Sequence, residues 1–161
     1  MKKYLSVAIL IVFIVTLAAC NASKKPDISK LEKSAYDASQ QNTQVALTVK
    51  EKAITPETGS ITLIYANLSD KQYIFGKEPH LEVEADGKWY VIPTLKGVAW
   101  EAIAYLLRPN ESREDPFDIK NYYSRLDAGK YRIVKTLSGI DAKTLSPSNE
   151  ETFIIAEFQI Q

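Results

Sequence analysis

Few residues in this chain could carry covalent or acid–base chemistry, and their spacing bounds what that chemistry could be. The 161 residues include one cysteine, Cys20, and one histidine, His80. A single thiol excludes an intramolecular disulfide framework and a cysteine-built zinc site. Any Ser-His-Asp or Cys-His arrangement would have to use His80. That residue follows Pro79 and opens the alternating run His80-Leu81-Glu82-Val83-Glu84, which suits a partly exposed, structural position. Glu114, Asp115 and Asp118 cluster around Pro116. Calcium takes six to eight oxygens, and the glycine-containing loop that gathers them is missing. A carboxylate pair for glycoside chemistry is conceivable. A charged edge strand kept soluble by its acids and its proline is the simpler reading. No glycine-rich phosphate loop or serine-centred elbow occurs. The sequence therefore predicts no catalytic residues, no metal and no cofactor.

Aromatic residues offer recognition rather than catalysis. Trp89-Tyr90 and Tyr122-Tyr123 are adjacent pairs, and Trp100 sits in a loop ahead of a strand. Neighbours on a strand face opposite sides, so one of each pair points away from the core if extended. Trp89, Tyr90, Trp100, Tyr122 and Tyr123 are the candidate ligand-binding residues, since exposed rings suit sugar or peptide binding. The competing expectation is packing: Tyr122 and Tyr123 in a helical turn between strands, one of them plugging the sandwich end.

The elements that would position these groups begin with an address. Lys2 and Lys3 precede an uncharged apolar stretch from Leu5 to Val15, followed by Leu17-Ala18-Ala19-Cys20. A positive head, an apolar middle and small residues at the cleavage point mark a secretory signal. The apolar stretch falls a little short of the roughly 20 residues a spanning helix needs. Leu-Ala-Ala-Cys resembles the lipobox of bacterial lipoproteins. The resemblance implies that residues 1–19 are removed and that Cys20 becomes a diacylglycerol-bearing N-terminus. The chain would then sit on the extracytoplasmic face of the cell membrane. Two acyl chains anchor stably, at about 0.8 kcal/mol for each buried CH₂.

Charge and composition exclude other classes. Twenty basic groups balance twenty acidic ones, 25% of residues are charged and 45% are hydrophobic. No basic excess exists to neutralise a nucleic-acid backbone, and the apolar content is too high for a disordered protein. Loss of Lys2 and Lys3 with the leader leaves 18 basic groups against 20 acidic, so no strong field steers a partner.

Residues 20–44 read as a lipid-anchored linker, rich in Ser, Lys, Gln and Asn. Ser29 and Glu32 could form a capping box, but Ile28 and Leu31 make a weak stripe, so a flexible or partly helical tether is expected. As a coil it would span roughly 25–30 Å. Lys24, Lys25, Lys30 and Lys33 could attract anionic lipid, partly offset by Asp27 and Glu32.

From Val45 to Gln161 short β-rich runs recur between turn residues. Expected strands are Val45–Lys50, Ser60–Leu68, Lys71–Phe75, His80–Glu84, Lys88–Ile92, Ile103–Leu107, a short Phe117–Ile119, Tyr131–Leu137 and Phe153–Ile160, with a long loop over Ser138–Asn149. Asp86-Gly87 suits a tight hairpin. About seven to eight strands at this spacing predict an all-β antiparallel sandwich.

Four stretches in order give that sandwich a family. They are Thr62-Leu63-Ile64-Tyr65-Ala66-Asn67-Leu68-Ser69-Asp70, Asp86-Gly87-Lys88-Trp89-Tyr90-Val91-Ile92-Pro93, Leu107-Arg108-Pro109-Asn110-Glu111-Ser112, and Leu126-Asp127-Ala128-Gly129-Lys130-Tyr131-Arg132-Ile133-Val134-Lys135. Together they resemble a bacterial immunoglobulin-like domain family of small secreted and lipid-anchored Gram-positive proteins, over Val45 to Phe158. The resemblance implies a structural tyrosine corner at Tyr131, ring inward and hydroxyl bonded to backbone. It also makes Trp89 a candidate core ring. Asn110 stands where similar domains often have glycine, and asparagine tolerates the left-handed conformation. The function expected is non-catalytic: a lipid-anchored envelope protein presenting a binding module to an envelope protein or cell-wall polymer. The alternatives are a carbohydrate- or wall-binding module using exposed Trp and Tyr, and a small hydrolase using the acidic cluster.

Overall fold

The computed structural model describes residues 27–141, 144 and 146–161. The leader and Cys20 lie outside the described residues. Among the described residues no helix is long and apolar enough to cross a membrane. The strands are β1 (Val45–Val49), β2 (Ser60–Asn67), β3 (Tyr73–Gly76), β4 (His80–Ala85), β5 (Lys88–Val91), β6 (Ala104–Leu107), β7 (Ser112–Asp118), β8 (Gly129–Ile140) and β9 (Pro147–Ile160), with a one-turn helix α1 (Ile119–Tyr122) after β7.

Two antiparallel sheets face each other. One is β1-β2-β7; the other runs β5-β4-β8-β3-β6, with β9 also on β8. Alternation in β2 explains the first sheet: Ile61, Leu63 and Tyr65 point inward and are buried, while the residues between them are only half-covered. In the second sheet β8 is the axis. β9 runs along its length on one side. On the other, β4 pairs with its first half (Val83↔Tyr131, His80↔Val134) and β3 with its end (Tyr73↔Gly139). Ile133, Leu137, Leu81, Leu107 and Ile154 are fully buried in the layer between the sheets. Tyr65 and Phe75 stack across it, ring centroids 4.4 Å apart.

Turn chemistry follows the residues. Asp86 and Gly87 both have positive φ, 49° and 74°, as a two-residue hairpin between β4 and β5 demands. Asn110 is left-handed at φ 55°. Asn67, at the end of β2, is buried, and its amide stitches two loops together. Nδ2 donates to Lys71 O at 2.7 Å and Arg108 O at 2.9 Å, while Oδ1 accepts from the Ser69 amide and hydroxyl. The Tyr131 hydroxyl donates to Asp127 O at 2.8 Å, and its ring is buried.

Three expectations change. β7 covers Ser112–Asp118 rather than a short piece from Phe117. Its Ser-Arg-Glu-Asp-Pro start pairs with β2 at the sheet's edge, as the reading of a strand kept soluble by its acids and proline expects, and only Phe117 in it is buried. The loop expected over Ser138–Asn149 is half strand: β8 continues to Ile140 and β9 begins at Pro147, because pairing between the two strands overrides weak local propensity. The largest change concerns the linker. Residues 27–44 lie against the sandwich; no capping-box helix starts at Ser29, whose amide bonds Asp27 Oδ1 while Leu31 N bonds Ile28 O, and the one short helical turn falls at Ala38–Gln40. Leu31 packs on the core, which a solvated coil would leave exposed.

Candidate functional site

The docked N-terminal strap is built around one cation. Arg132 on β8 and Glu82 on β4 are register partners, and Arg132 Nε lies 2.6 Å from Glu82 Oε2. Both side chains are out of solvent, at 2% and 0% exposure. Such a pair is tolerable only when its remaining donors and lone pairs are satisfied. The strap does this. Ser34 Oγ donates to Glu82 Oε1 at 2.6 Å and accepts from Arg132 Nη2 at 3.0 Å; Tyr36 O accepts from the same Nη2 at 3.0 Å. Backbone bonds from Ser34 N to Trp89 O and from Val91 N to Glu32 O add the strap to the β5 edge. Tyr36 then packs on His80 and Phe153, with centroids 5.4 and 5.0 Å away.

The five candidate aromatics separate. Trp89 is not a core ring: it faces outward over the Arg132 guanidinium at 4.4 Å, a cation–π contact inside the strap's footprint. Tyr90, its neighbour, turns the other way and packs on the core, as strand alternation requires. Trp100 and Tyr122 stack on each other at 3.8 Å, both half-buried. Tyr123 is 2% exposed and offers no surface to a ligand. It leaves α1 as the C-cap and donates its hydroxyl to Pro79 O at 3.1 Å, and burial pushes its phenol up to about 12. Sequence reasoning did not single out Ser34, Tyr36, Glu82 or Arg132. The available signal was an arginine set between Tyr131 and the apolar pair Ile133-Val134; its partner depends on a register no local pattern fixes.

The acidic residues do not converge. Glu114 pairs with Lys50 at 2.7 Å, Asp115 with Lys77 at 3.6 Å, and Asp118 caps α1 through the Asn121 amide. Glu114 and Asp115 face opposite sides of β7. Glu114 and Asp118, four residues apart on one strand, are separated by about 13 Å along it. Two-carboxylate glycoside chemistry works at roughly 5–9.5 Å. Among the described residues no group of three His, Cys, Asp or Glu could hold a metal ion.

Lys135 is the other buried cation among the described residues. β8 exchanges β4 for β3 at this point, and the intervening chain presents carbonyls to the gap. Lys135 Nζ donates to Gly76 O at 2.5 Å and Glu78 O at 3.0 Å. Burial lowers its pKa to about 8; Lys77 adds to the fall, and Asp115 and Glu78 oppose it. The amine therefore closes a seam in the sheet.

The two ends of the sandwich differ. At the end with the β8–β9 hairpin, a groove of about 500 Å³ is lined by Gln44, Lys71, Tyr73, Ser148, Glu151 and Thr152 among others. At the opposite end, Asp27 and Leu31 border a hollow with Arg125, Leu126, Asp127 and Tyr131, so the strap enters the fold there.

This two-sheet architecture, with a tyrosine hydroxyl bonded back across the corner before β8, is that of an immunoglobulin-like sandwich. The family described as bacterial Ig-like domain matches residues 41–158, and the chain belongs to it. Neither a curated protein nor a solved structure matches the chain. Residues 27–40, which carry Ser34 and Tyr36, precede the matched region.

Proposed function

We propose that the chain is a lipid-anchored extracytoplasmic protein whose Ig-like domain serves as a non-catalytic interaction module. The observation that carries this reading is the docked strap. From Cys20 to Asp27 the chain can extend at most about 25 Å; Leu31 then packs on the core and Glu32 O takes the bond from Val91 N that ties the strap to the sandwich. An acylated Cys20 would therefore hold the domain close to the bilayer in a fixed sense. The Arg125 end would face lipid and the polar groove would face outward, about 40 Å further away along the 12 residues of β8. Acyl chains supply confinement, the strap supplies orientation, and the outer end meets the partner, a second envelope protein or a wall polymer.

Metabolic labelling with a fatty-acid probe tests the anchor: label is expected on the chain and absent from Cys20→Ser, and label retained in that variant would overturn it. A wall-glycan module is the second reading, favoured by the partly exposed Trp100–Tyr122 stack, an apolar platform of the kind sugar rings pack against. Binding on a saccharide array that disappears in Trp100→Ala would support it.

A further inference from the structure

We propose that the sandwich end around Leu95, Lys120 and Arg125 seats directly on the anionic headgroups of the membrane. This rests on the anchored reading above and gives that membrane a specific contact surface. Leu95 is 41% exposed, one of the few large apolar side chains the fold leaves in solvent. It stands at the start of a tight turn, with Val98 N bonded to Leu95 O and Gly97 at φ 81°. The turn is fastened to α1 by Leu95 N to Tyr122 O at 2.9 Å, so the leucine is held out by structure. Around it lies a shallow depression of about 470 Å³ lined by Pro56, Glu57, Lys120, Ser124 and Arg125 among others.

Charge suits an anionic layer. Lys120 and Arg125 stand against one carboxylate in that lining, Glu57, which Arg125 pairs at 2.8 Å. Lys96 follows Leu95 at the turn and is exposed. Lys120 Nζ also donates to Glu57 O at 2.8 Å, which holds the ammonium beside the depression. A projecting leucine ringed by cations matches the headgroup boundary: the alkyl group enters the acyl edge and the ammonium and guanidinium groups meet phosphate. Position argues the same way. The hollow that receives Asp27 shares Ser124 and Arg125 with this depression, so the chain leading back to Cys20 leaves from this end.

The test couples the chain from Cys20 to Gln161 to a maleimide phospholipid through its only thiol, in vesicles of phosphatidylcholine with or without phosphatidylglycerol. The tether is chemical, so the result does not depend on whether cells acylate Cys20; the fatty-acid label settles that separately. Lysine acetylation read by mass spectrometry reports each site. On anionic vesicles Lys96 and Lys120 should react several-fold more slowly than on the untethered chain, with Lys71 at the far end unchanged. Neutral vesicles or Leu95→Asp should remove most of that protection. Protection of Lys71 instead, protection of none of the three, or equal protection on neutral vesicles would overturn the proposal.

Discussion

Arg132 and Glu82 face each other across β8 and β4 with 2.6 Å between Nε and Oε2, and Ser34 from the strap closes the pair from outside. Removing one partner strands the other in a dry site. Glu82→Gln should therefore lower unfolding free energy by about 3–5 kcal/mol, read as an earlier urea midpoint at unchanged slope. The double replacement Arg132→Met with Glu82→Leu should recover much of that loss. A double variant as unstable as the single one would mean that the charges themselves stabilise the sheet.

The strap should behave as part of the domain. A chain beginning at residue 41, where the family match starts, loses Ser34, Tyr36 and the backbone bonds on β5. It should unfold at lower urea than a chain beginning at residue 27. It should also self-associate through the bared edge of β5, which light scattering would detect. Equal stability of the two chains would refute the docking.

Stability should vary with pH in two opposed windows. Lys135 has its folded pKa lowered to about 8, so between about 8 and its ordinary value near 10.4 the folded state binds fewer protons than the unfolded one. Stability then rises with pH, and Lys135→Met should abolish that rise. Burial pushes the Tyr131 and Tyr123 phenols up to about 12. The folded state keeps those protons while the unfolded one loses them, so stability falls from about pH 10. Tyr131→Phe should flatten part of that fall while losing about 1 kcal/mol at neutral pH for the bond to Asp127 O. Denaturant titrations at successive pH values check both signs.

Asn67 should be the most sensitive polar residue at the groove end. Asn67→Ala leaves the Lys71 and Arg108 carbonyls without their shared donor. A loss of about 1–3 kcal/mol should come with faster amide exchange at Ser69 and Lys71. A change in stability without faster exchange there would place the effect elsewhere.

Alternation made the inner layer legible. Ile61, Leu63 and Tyr65 in β2, and Leu81 and Val83 in β4, were readable from period two; the Asp86-Gly87 turn was readable from its residue types, and Tyr131 was singled out by family resemblance alone. What stayed hidden depended on non-local partners. The acids around Pro116 were readable as a charged edge strand, but its reach back to Ser112 is set by pairing with β2 rather than by its own residues. Residues 27–44 read as solvated because nothing in their polarity announces that Ser34 and Tyr36 satisfy an arginine about a hundred positions later. Of the candidate site, the aromatics could be named from sequence but not sorted: Tyr123 went inside and Trp89 went onto Arg132.

The bonds from Ser34 to Trp89 and from Glu32 to Val91 also decide how the molecule meets mechanical load. Tension arriving from the amino-terminal side would reach Leu31 and these few contacts before it reached the long β8–β9 ladder. The strap would peel as a sacrificial clip while the immunoglobulin-like body stayed whole.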